Sequence, residues 1–230
     1  MPDDPHSAPR HPAEFGRAAV PEADGRLDAA AFHRNHAAIS EILVNLLASH
    51  TGHVLEIGSG TGQHAVAFAR LLPGVTWWPT DADDAHLRSI EAWRKHEGLA
   101  NVMPPVRLDA AEADWRLEEL GLPPWYTVIF CANVIHISPW RVAEGLFAGA
   151  NRHLRAGGEL HLYGPFRRDG VHNAPSNEAF DRSLRRQNPE WGVRDTADLN
   201  ALARKNNLKP WHVHELPANN AVLTFQQSWW

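Results

Sequence analysis

The stretch HVLEIGSGTGQHAVAFA, residues 53–69, contains a short apolar run, an acidic residue, three closely spaced glycines and a second apolar run. The glycines are Gly58, Gly60 and Gly62, which follow a strand-like run and precede a helix-like run. Glycine lets a backbone turn tightly and approach a ligand closely, and a helix N-terminus presents free N–H groups. The stretch therefore predicts a strand, a glycine turn and a helix that together bind a nucleotide-like ligand.

Composition sets limits on the class of protein. The 230 residues, 43% of them hydrophobic, are enough to bury the core of one α/β domain. A formal net charge of −5 argues against general nucleic-acid binding, which needs a basic surface. The single cysteine, Cys131, cannot form an internal disulfide, and no run of about eighteen apolar residues occurs. We expect a cytoplasmic protein without a membrane segment, made of a mobile N-terminal arm (1–26) and a single domain (27–230).

Strand-like and helix-like patterns alternate along the chain. Helical patterns cover 32–50, 83–98, 138–154, 176–187 and 196–206, and strand patterns cover 75–78, 104–108, 126–133, 159–164, 210–216 and 220–227. Ser138 and Pro139 are expected to begin the third of these helices, and Gly157 and Gly158 to end it. The alternation predicts a parallel sheet with helices on both faces, a final hairpin, and a ligand crevice at the carboxyl ends of the strands.

The spacing of the glycines bears on the kind of ligand. The dinucleotide fingerprint has glycines in a G-x-G-x-x-G pattern, but here the sixth position is Gln63 and the third glycine comes one residue early. A nicotinamide-dependent oxidoreductase is therefore a less favoured alternative. The pattern that begins at Glu56 is E-x-G-x-G-x-G. It resembles the first motif of class I S-adenosylmethionine-dependent methyltransferases, which implies that Glu56 and the glycine backbone hold the amino-acid part of that cofactor.

Two further acids follow the glycine turn in the order that this resemblance implies. Asp81 ends the second strand pattern, where a carboxylate accepts hydrogen bonds from both ribose hydroxyls. Asp109 follows the third strand pattern, where class I enzymes often place an acid against the adenine amino group, with the backbone of Leu108 beside it. An aspartate after a strand is also a common cap of a turn, so that each assignment has a structural alternative.

Longer motifs extend the resemblance over residues 26 to about 226. Beside the glycine motif, the stretches are RN (34–35), WPTDAD (78–83), NVIHISPW (133–140), GGELHLYGPF (157–166), SNEAFDRSLRRQNPEWGVRD (176–195) and LPANNAVLTF (216–225). They resemble domain-of-unknown-function family 938 of methyltransferase-like proteins. The resemblance implies a Rossmann-like class I methyltransferase fold: a seven-stranded, mostly parallel sheet with a C-terminal antiparallel hairpin and helices on both faces. It further implies S-adenosyl-L-methionine as cofactor, S-adenosyl-L-homocysteine as product, and Arg34 and Asn35 closing over the cofactor.

The candidate catalytic residues lie beyond the fourth and fifth strand patterns. His136 is the first candidate for a general base, because an imidazole exchanges protons near neutral pH. Asn133 is expected to contact cofactor or substrate, and Tyr163 to line the same crevice. We predict methyl transfer to a small-molecule acceptor that the sequence does not identify. The alternative is a non-catalytic protein that binds the cofactor, which is favoured if these three side chains are buried and turned away from the crevice.

Two other groups of residues have open interpretations. Arg182, Arg185 and Arg186 form either a solvated helix face or a site for a phosphorylated or carboxylated substrate. The paired histidines at 33/36 and 212/214 have no third ligand of suitable spacing nearby, so that we predict no metal site.

Overall fold

The computed structural model describes residues 22–112 and 114–228, so most of the predicted N-terminal arm lies outside the described residues. The helices are α1 (Ala30–Leu47), α2 (Gln63–Leu71), α3 (Asp84–Glu97), α4 (Trp140–His153), α5 (Pro175–Gln187) and α6 (Thr196–Lys205). The strands are β1 (Gly52–Ile57), β2 (Val75–Asp81), β3 (Val106–Arg107), β4 (Tyr126–Ala132), β5 (Leu154–Gly164), β6 (Arg167–Arg168), β7 (Val171–His172), β8 (Leu208–Leu216) and β9 (Asn220–Gln227).

Seven of the strands form one sheet in the order β3-β2-β1-β4-β5-β9-β8. The strands β1 to β5 pair in parallel, whereas β9 runs antiparallel to both of its neighbours. The predicted mostly parallel sheet and its C-terminal hairpin are confirmed. Ile57 pairs with Thr80 on one side and Cys131 on the other, so that β1, β2 and β4 end side by side. We call this side of the sheet, where β5 also ends, the carboxyl edge.

Hydrophobic packing on both faces of the sheet explains why its central strands read as continuous apolar runs. In β1, Val54 packs on one face with α1 and α2, and Leu55 packs on the other face with α4 and α6. Both side chains are fully buried. Helices therefore cover both faces of the sheet, as predicted. The ends of the strands are left as the part of the sheet that a ligand can reach.

The expected ends of α4 are wrong. Ser138 caps no amide of the helix, because its hydroxyl donates to the carbonyl of Val134, four residues earlier. Pro139 is the N-cap residue instead. At the other end, Leu154 already pairs with Tyr126, so that β5 begins before Gly157 and Gly158 and the glycines lie in an irregular part of the strand.

Candidate functional site

The glycine turn between β1 and α2 lies at the carboxyl edge. Gly58, Gly60 and Gly62 all have positive φ. A Cβ atom on Gly58 would lie 2.4 Å from Cγ2 of Val134, so that only a residue without a side chain lets these two loops meet. At Gly60, by contrast, a Cβ atom would have no other atom within 4 Å. The turn is thus packed at Gly58 and open at Gly60, where a ligand has room to approach the backbone.

Asp81, the last residue of β2, is fixed beside this turn. Its Oδ2 accepts a 2.8 Å hydrogen bond from the N–H of Gly60, and its Oδ1 accepts one of 2.9 Å from the N–H of Asp83. Nδ1 of His86 lies 3.2 Å from the same Oδ1. A carboxylate has about four positions for hydrogen-bond donors, so that roughly one remains for a ligand unless His86 turns away. Apart from its place in the first turns of α3, no sequence pattern indicates that His86 lies here.

Glu56 lies next to the end of β1 and is buried. Its Oε2 accepts a 2.8 Å hydrogen bond from Nε1 of Trp77 on the neighbouring strand. Burial raises the pKa of Glu56 to about 7, and the charge of Asp81 acts in the same direction. A cation bound beside Glu56 would hold the carboxylate in its charged form.

Leu108 and Asp109 follow β3 at the same edge. The N–H of Leu108 donates to the backbone carbonyl of Asp81 at 3.1 Å, which brings this turn next to the end of β2. Asp109 is exposed, and its Oδ1 accepts from the N–H of Ala111 at 2.9 Å. Asp109 therefore stabilises a turn, and its contact with an adenine ring stays a prediction.

The segment before α1 is fastened to the glycine turn by Gln63, the residue that breaks the dinucleotide pattern. The side chain of Gln63 donates to Oδ1 of Asp28 at 2.6 Å and accepts from the N–H of Ala29 at 2.8 Å. This anchor sets the start of α1, where the predicted residues Arg34 and Asn35 lie. Asn35 is partly buried and Arg34 is exposed.

Tyr163, near the end of β5, is buried. Burial raises its pKa to about 12, while the positive charge of Arg34 opposes this rise. The electrostatic contact joins the start of α1 to the end of β5. Asn133 follows β4, is partly buried, and donates its backbone N–H to the carbonyl of Tyr163 at 2.9 Å. The structure thus brings Asn133 and Tyr163 together at the carboxyl edge.

His136 lies in the same loop but is fully buried. Its Nδ1 accepts a 3.3 Å hydrogen bond from the N–H of Arg194, and its Nε2 has no hydrogen-bond partner among the described residues. Burial lowers the pKa of His136 to about 3, and the charge of Arg194 adds to this effect. An uncharged ring that accepts at Nδ1 carries its hydrogen on Nε2. The ring is therefore a donor at Nε2 in this arrangement, and its role as a base stays a prediction.

Hydrogen bonds from Gly192 and Arg194 stabilise the loop that contains His136. The sequence alone did not predict these bonds. The N–H of Gly192 donates to the carbonyl of His136 at 2.9 Å. The guanidinium of Arg194 donates to the carbonyl of Ile135 at 2.8 Å and also to that of Ser138. The family resemblance had singled out this stretch of sequence without giving it a role.

Residues 22–112 and 114–228 contain neither a cluster of metal-binding side chains nor a membrane-spanning helix. No group of three His, Cys, Asp or Glu side chains there is arranged to hold a metal ion. No helix in the same ranges has the length and apolar character needed to cross a membrane. The cytoplasmic location stays a prediction.

A protein-family model matches nearly the whole chain. A family model described as "Protein of unknown function (DUF938)" matches residues 26–227. A shorter match, 35% identical over 131 residues, is to the ribosomal RNA small subunit methyltransferase G of Solibacter usitatus (strain Ellin6076), and it covers 56% of each chain. The chain therefore aligns with little more than half of that relative's length.

Solved structures share the fold at low sequence identity. Mitomycin 7-O-methyltransferase MmcR has a TM-score of 0.70 at 14% identity, covering 87% of this chain and 55% of that one. An O-methyltransferase family protein from Burkholderia thailandensis has a TM-score of 0.68 at 15% identity, covering 86% and 59%. The S-adenosylhomocysteine-bound form of CalO1, a methyltransferase in calicheamicin biosynthesis, has a TM-score of 0.65 at 15% identity. This match covers 85% of this chain and 55% of CalO1. The predicted class I methyltransferase fold is confirmed.

Proposed function

This chain belongs to the DUF938 protein family, and from the geometry of its carboxyl edge we propose that it binds S-adenosylmethionine and transfers the methyl group to a small molecule. One observation carries the proposal. The open backbone of Gly60 is hydrogen-bonded to the carboxylate of Asp81, and the buried carboxyl of Glu56 lies close enough to Asp81 for their charges to interact.

These residues suit the chemical groups of the cofactor. Glu56 provides a carboxylate for the ammonium of the methionine part, because a cation offsets the cost of ionising a buried acid. The open backbone at Gly60 leaves space for the ligand. Asp81 provides an acceptor for ribose hydroxyls, with His86 releasing Oδ1 where two hydroxyls bind. Leu108 and Asp109 lie at the end of β3 for the adenine, and Arg34 and Asn35 at the start of α1 cover the amino-acid end.

Once bound, the cofactor supplies an electrophilic methyl group on a sulfonium, so that the chain's main task is to orient the acceptor. Asn133 and Tyr163 are joined by a backbone hydrogen bond beside the loop after β4, where they bind and orient the acceptor. The buried, uncharged ring of His136 holds that loop in place. Methylation of a small molecule is consistent with the net charge of −5, which disfavours general binding to RNA.

A second candidate is a protein that binds the cofactor without catalysis. The full burial of His136 and the near-complete burial of Tyr163 favour it, because neither ring offers much surface to an acceptor. Asn133 is only partly buried, which favours the enzyme.

Calorimetry with S-adenosylhomocysteine tests the binding step, with NAD as the control ligand. We expect saturable binding of S-adenosylhomocysteine and none of NAD. Incubating a metabolite extract with methyl-labelled S-adenosylmethionine then tests the reaction. Label in a small molecule supports the enzyme, and binding without any transfer supports the second candidate. Label in the RNA fraction would contradict the small-molecule acceptor, and the absence of binding would contradict both candidates.

A further inference from the structure

Three arginines, which we call the arginine cluster, lie beside the loop that holds Asn133 and His136. They are Arg167, Arg185 and Arg194. The N–H of Arg167 donates to the carbonyl of Arg194 at 2.9 Å. Burial lowers the pKa of Arg194, the positive charges of Arg185 and Arg167 lower it further, and the negative charge of Asp181 opposes this. Arg194 is thus close enough to Arg185 and to Arg167 for their like charges to repel at the carboxyl edge.

Acidic side chains compensate this charge only in part. In the described ranges, Asp181 is the only acid that forms an ion pair with a member of the cluster, at 3.0 Å from Nε of Arg185. Asp181 also accepts from the N–H of Val193 at 2.7 Å and lies 3.6 Å from Nε2 of His172. One carboxylate is therefore shared between one arginine, one histidine and a backbone amide.

Asp195 lies close by but is occupied elsewhere. Its backbone bridges to that of Arg167, while its two carboxylate oxygens accept from the N–H groups of Gly170 and Ala197 at 2.7 Å and 2.9 Å. The charge of Asp195 thus fixes the turn after β6 and the start of α6. It provides no hydrogen bond to the guanidinium of Arg167.

The side chain of Arg167 has a hydrogen-bond donor that is not used within the protein. Its Nε is buried and has no hydrogen-bond partner among the described residues. A buried donor without a partner is costly, and for a charged group the cost is larger than for a neutral one. A guanidinium binds carboxylates and phosphates through two parallel N–H groups, of which Nε–H is commonly one. A water molecule would satisfy the hydrogen bond but would leave the charge uncompensated.

We infer that the arginine cluster binds an anionic group of the methyl acceptor, a carboxylate or a phosphate, with Arg167 making the direct contact. That the bound molecule is the methyl acceptor rests on the proposed function, whereas the anion site itself does not depend on it. Arg167 is three residues past the end of β5, and Arg194 holds the loop after β4, so that an anion bound here keeps the rest of the molecule near Asn133. In a chain of net charge −5, a local positive group of this kind attracts small anions.

Nuclear magnetic resonance of the arginine Nε–H groups tests the anion site directly. The full chain is titrated with benzoate, with phenyl phosphate, and with benzyl alcohol as the neutral control, with S-adenosylhomocysteine present and absent. We expect the Arg167 signal to shift with one or both anions and to stay constant with benzyl alcohol. The anion that shifts it at the lower concentration identifies the carboxylate or phosphate class. No shift with either anion at tens of millimolar would overturn the inference.

Substitution then connects the site to methyl transfer. Arg167→Gln removes the charge, and the control Arg204→Gln removes one from an exposed residue of α6 outside the cluster. In the extract assay, we expect the labelled product to be an anion and its formation to fall about tenfold or more in Arg167→Gln, the usual effect of losing a charge-assisted hydrogen bond. Arg204→Gln should retain the wild-type rate. A neutral product, or full activity of Arg167→Gln, would overturn the assignment. Absence of S-adenosylhomocysteine binding in calorimetry would instead overturn the proposed function, and the anion titration would remain informative.

Discussion

The backbone N–H of Gly60 donates a 2.8 Å hydrogen bond to Oδ2 of Asp81, and this bond joins the glycine turn to the end of β2. Asp81→Ala removes both the acceptor for ribose hydroxyls and the fixed position of the turn. We expect the affinity for S-adenosylhomocysteine to fall by about 1.5–3 kcal/mol in calorimetry, with the fold retained. Asp84→Ala, at an exposed acid in the first turn of α3, is the matched control and should bind normally. Unchanged affinity of Asp81→Ala would remove this residue from the site.

Gly60 and Gly58 differ in what surrounds them, and substitutions should separate binding from folding. Gly60→Val places a branched side chain at positive φ in space that has no other atom within 4 Å. We expect a folded protein that no longer binds S-adenosylhomocysteine. Both variants bear the backbone strain of a β-branched residue at positive φ. Gly58→Val should unfold at a lower urea concentration than Gly60→Val, because only its Cβ atom would also meet Val134. Normal binding by folded Gly60→Val would show that the ligand lies elsewhere.

The raised pKa of Glu56 predicts how stability depends on pH. The carboxyl has a pKa of about 7 in the folded chain against an ordinary value of 4.5, so that between these values the folded state holds a proton that the unfolded state releases. The free energy of unfolding should therefore fall as pH rises from 4.5 to 7, by on the order of 3 kcal/mol from this group. Urea unfolding of wild type and Glu56→Gln over this range measures the effect. The two slopes should differ, and parallel curves would contradict the buried acid.

Two roles for His136, a general base and a hydrogen-bond donor at Nε2, lead to different predictions. If His136 is a general base, His136→Ala should lose about a hundredfold or more in turnover, and the rate of the native protein should rise with pH through one ionisation. The uncharged ring with hydrogen on Nε2 predicts no such ionisation between pH 5 and 9. It also predicts that His136→Asn, whose amide oxygen can replace Nδ1 as acceptor for the N–H of Arg194, is more active than His136→Gln. Imidazole nitrogen resonances that titrate near neutral pH would contradict the donor assignment.

Gly164 ends β5 directly against the ring of His136. A Cβ atom there would lie 2.3 Å from Nε2 and 2.7 Å from Cδ2 of that ring. Gly164→Ala should destabilise the fold by about 1–3 kcal/mol in urea unfolding, as overpacking of a core generally does. The double variant Gly164→Ala/His136→Ala should lose less than the sum of the single losses, because the clash has been removed. Additive losses would place the ring elsewhere.

Local pattern was sufficient to predict the features that depend on neighbouring residues. The glycine turn, Asp81 at the end of β2, helix α6 and the C-terminal hairpin all follow from short stretches of sequence. Their physical causes are turn geometry, capping and the periodicity of apolar residues, which act over a few positions.

Contacts between distant segments were not predictable in this way. The bond from the N–H of Arg194 to His136 spans 58 positions, and that from the side chain of Asn177 to the carbonyl of Asn219 spans 42. In neither bond does the type of the donor residue indicate which distant residue accepts. Even the start of α4 was misjudged, because the 3-10 turn Val134–His136 places a carbonyl within reach of the Ser138 hydroxyl. The local rule for an N-cap does not include that competitor.

The position of β9 has a consequence for how the chain is made. Among the strands that the structure describes it is the last to be synthesised, yet it lies between β5 and β8, both of which leave the ribosome earlier. Until residues 220–227 emerge, neither of those strands has this neighbour, and β5 presents an open row of backbone N–H and C=O groups. Exposed strand edges of this kind pair readily with other chains. A nascent chain stalled before Asn220, or a variant with a stop codon there, should therefore aggregate or be degraded rather than accumulate as a shortened domain.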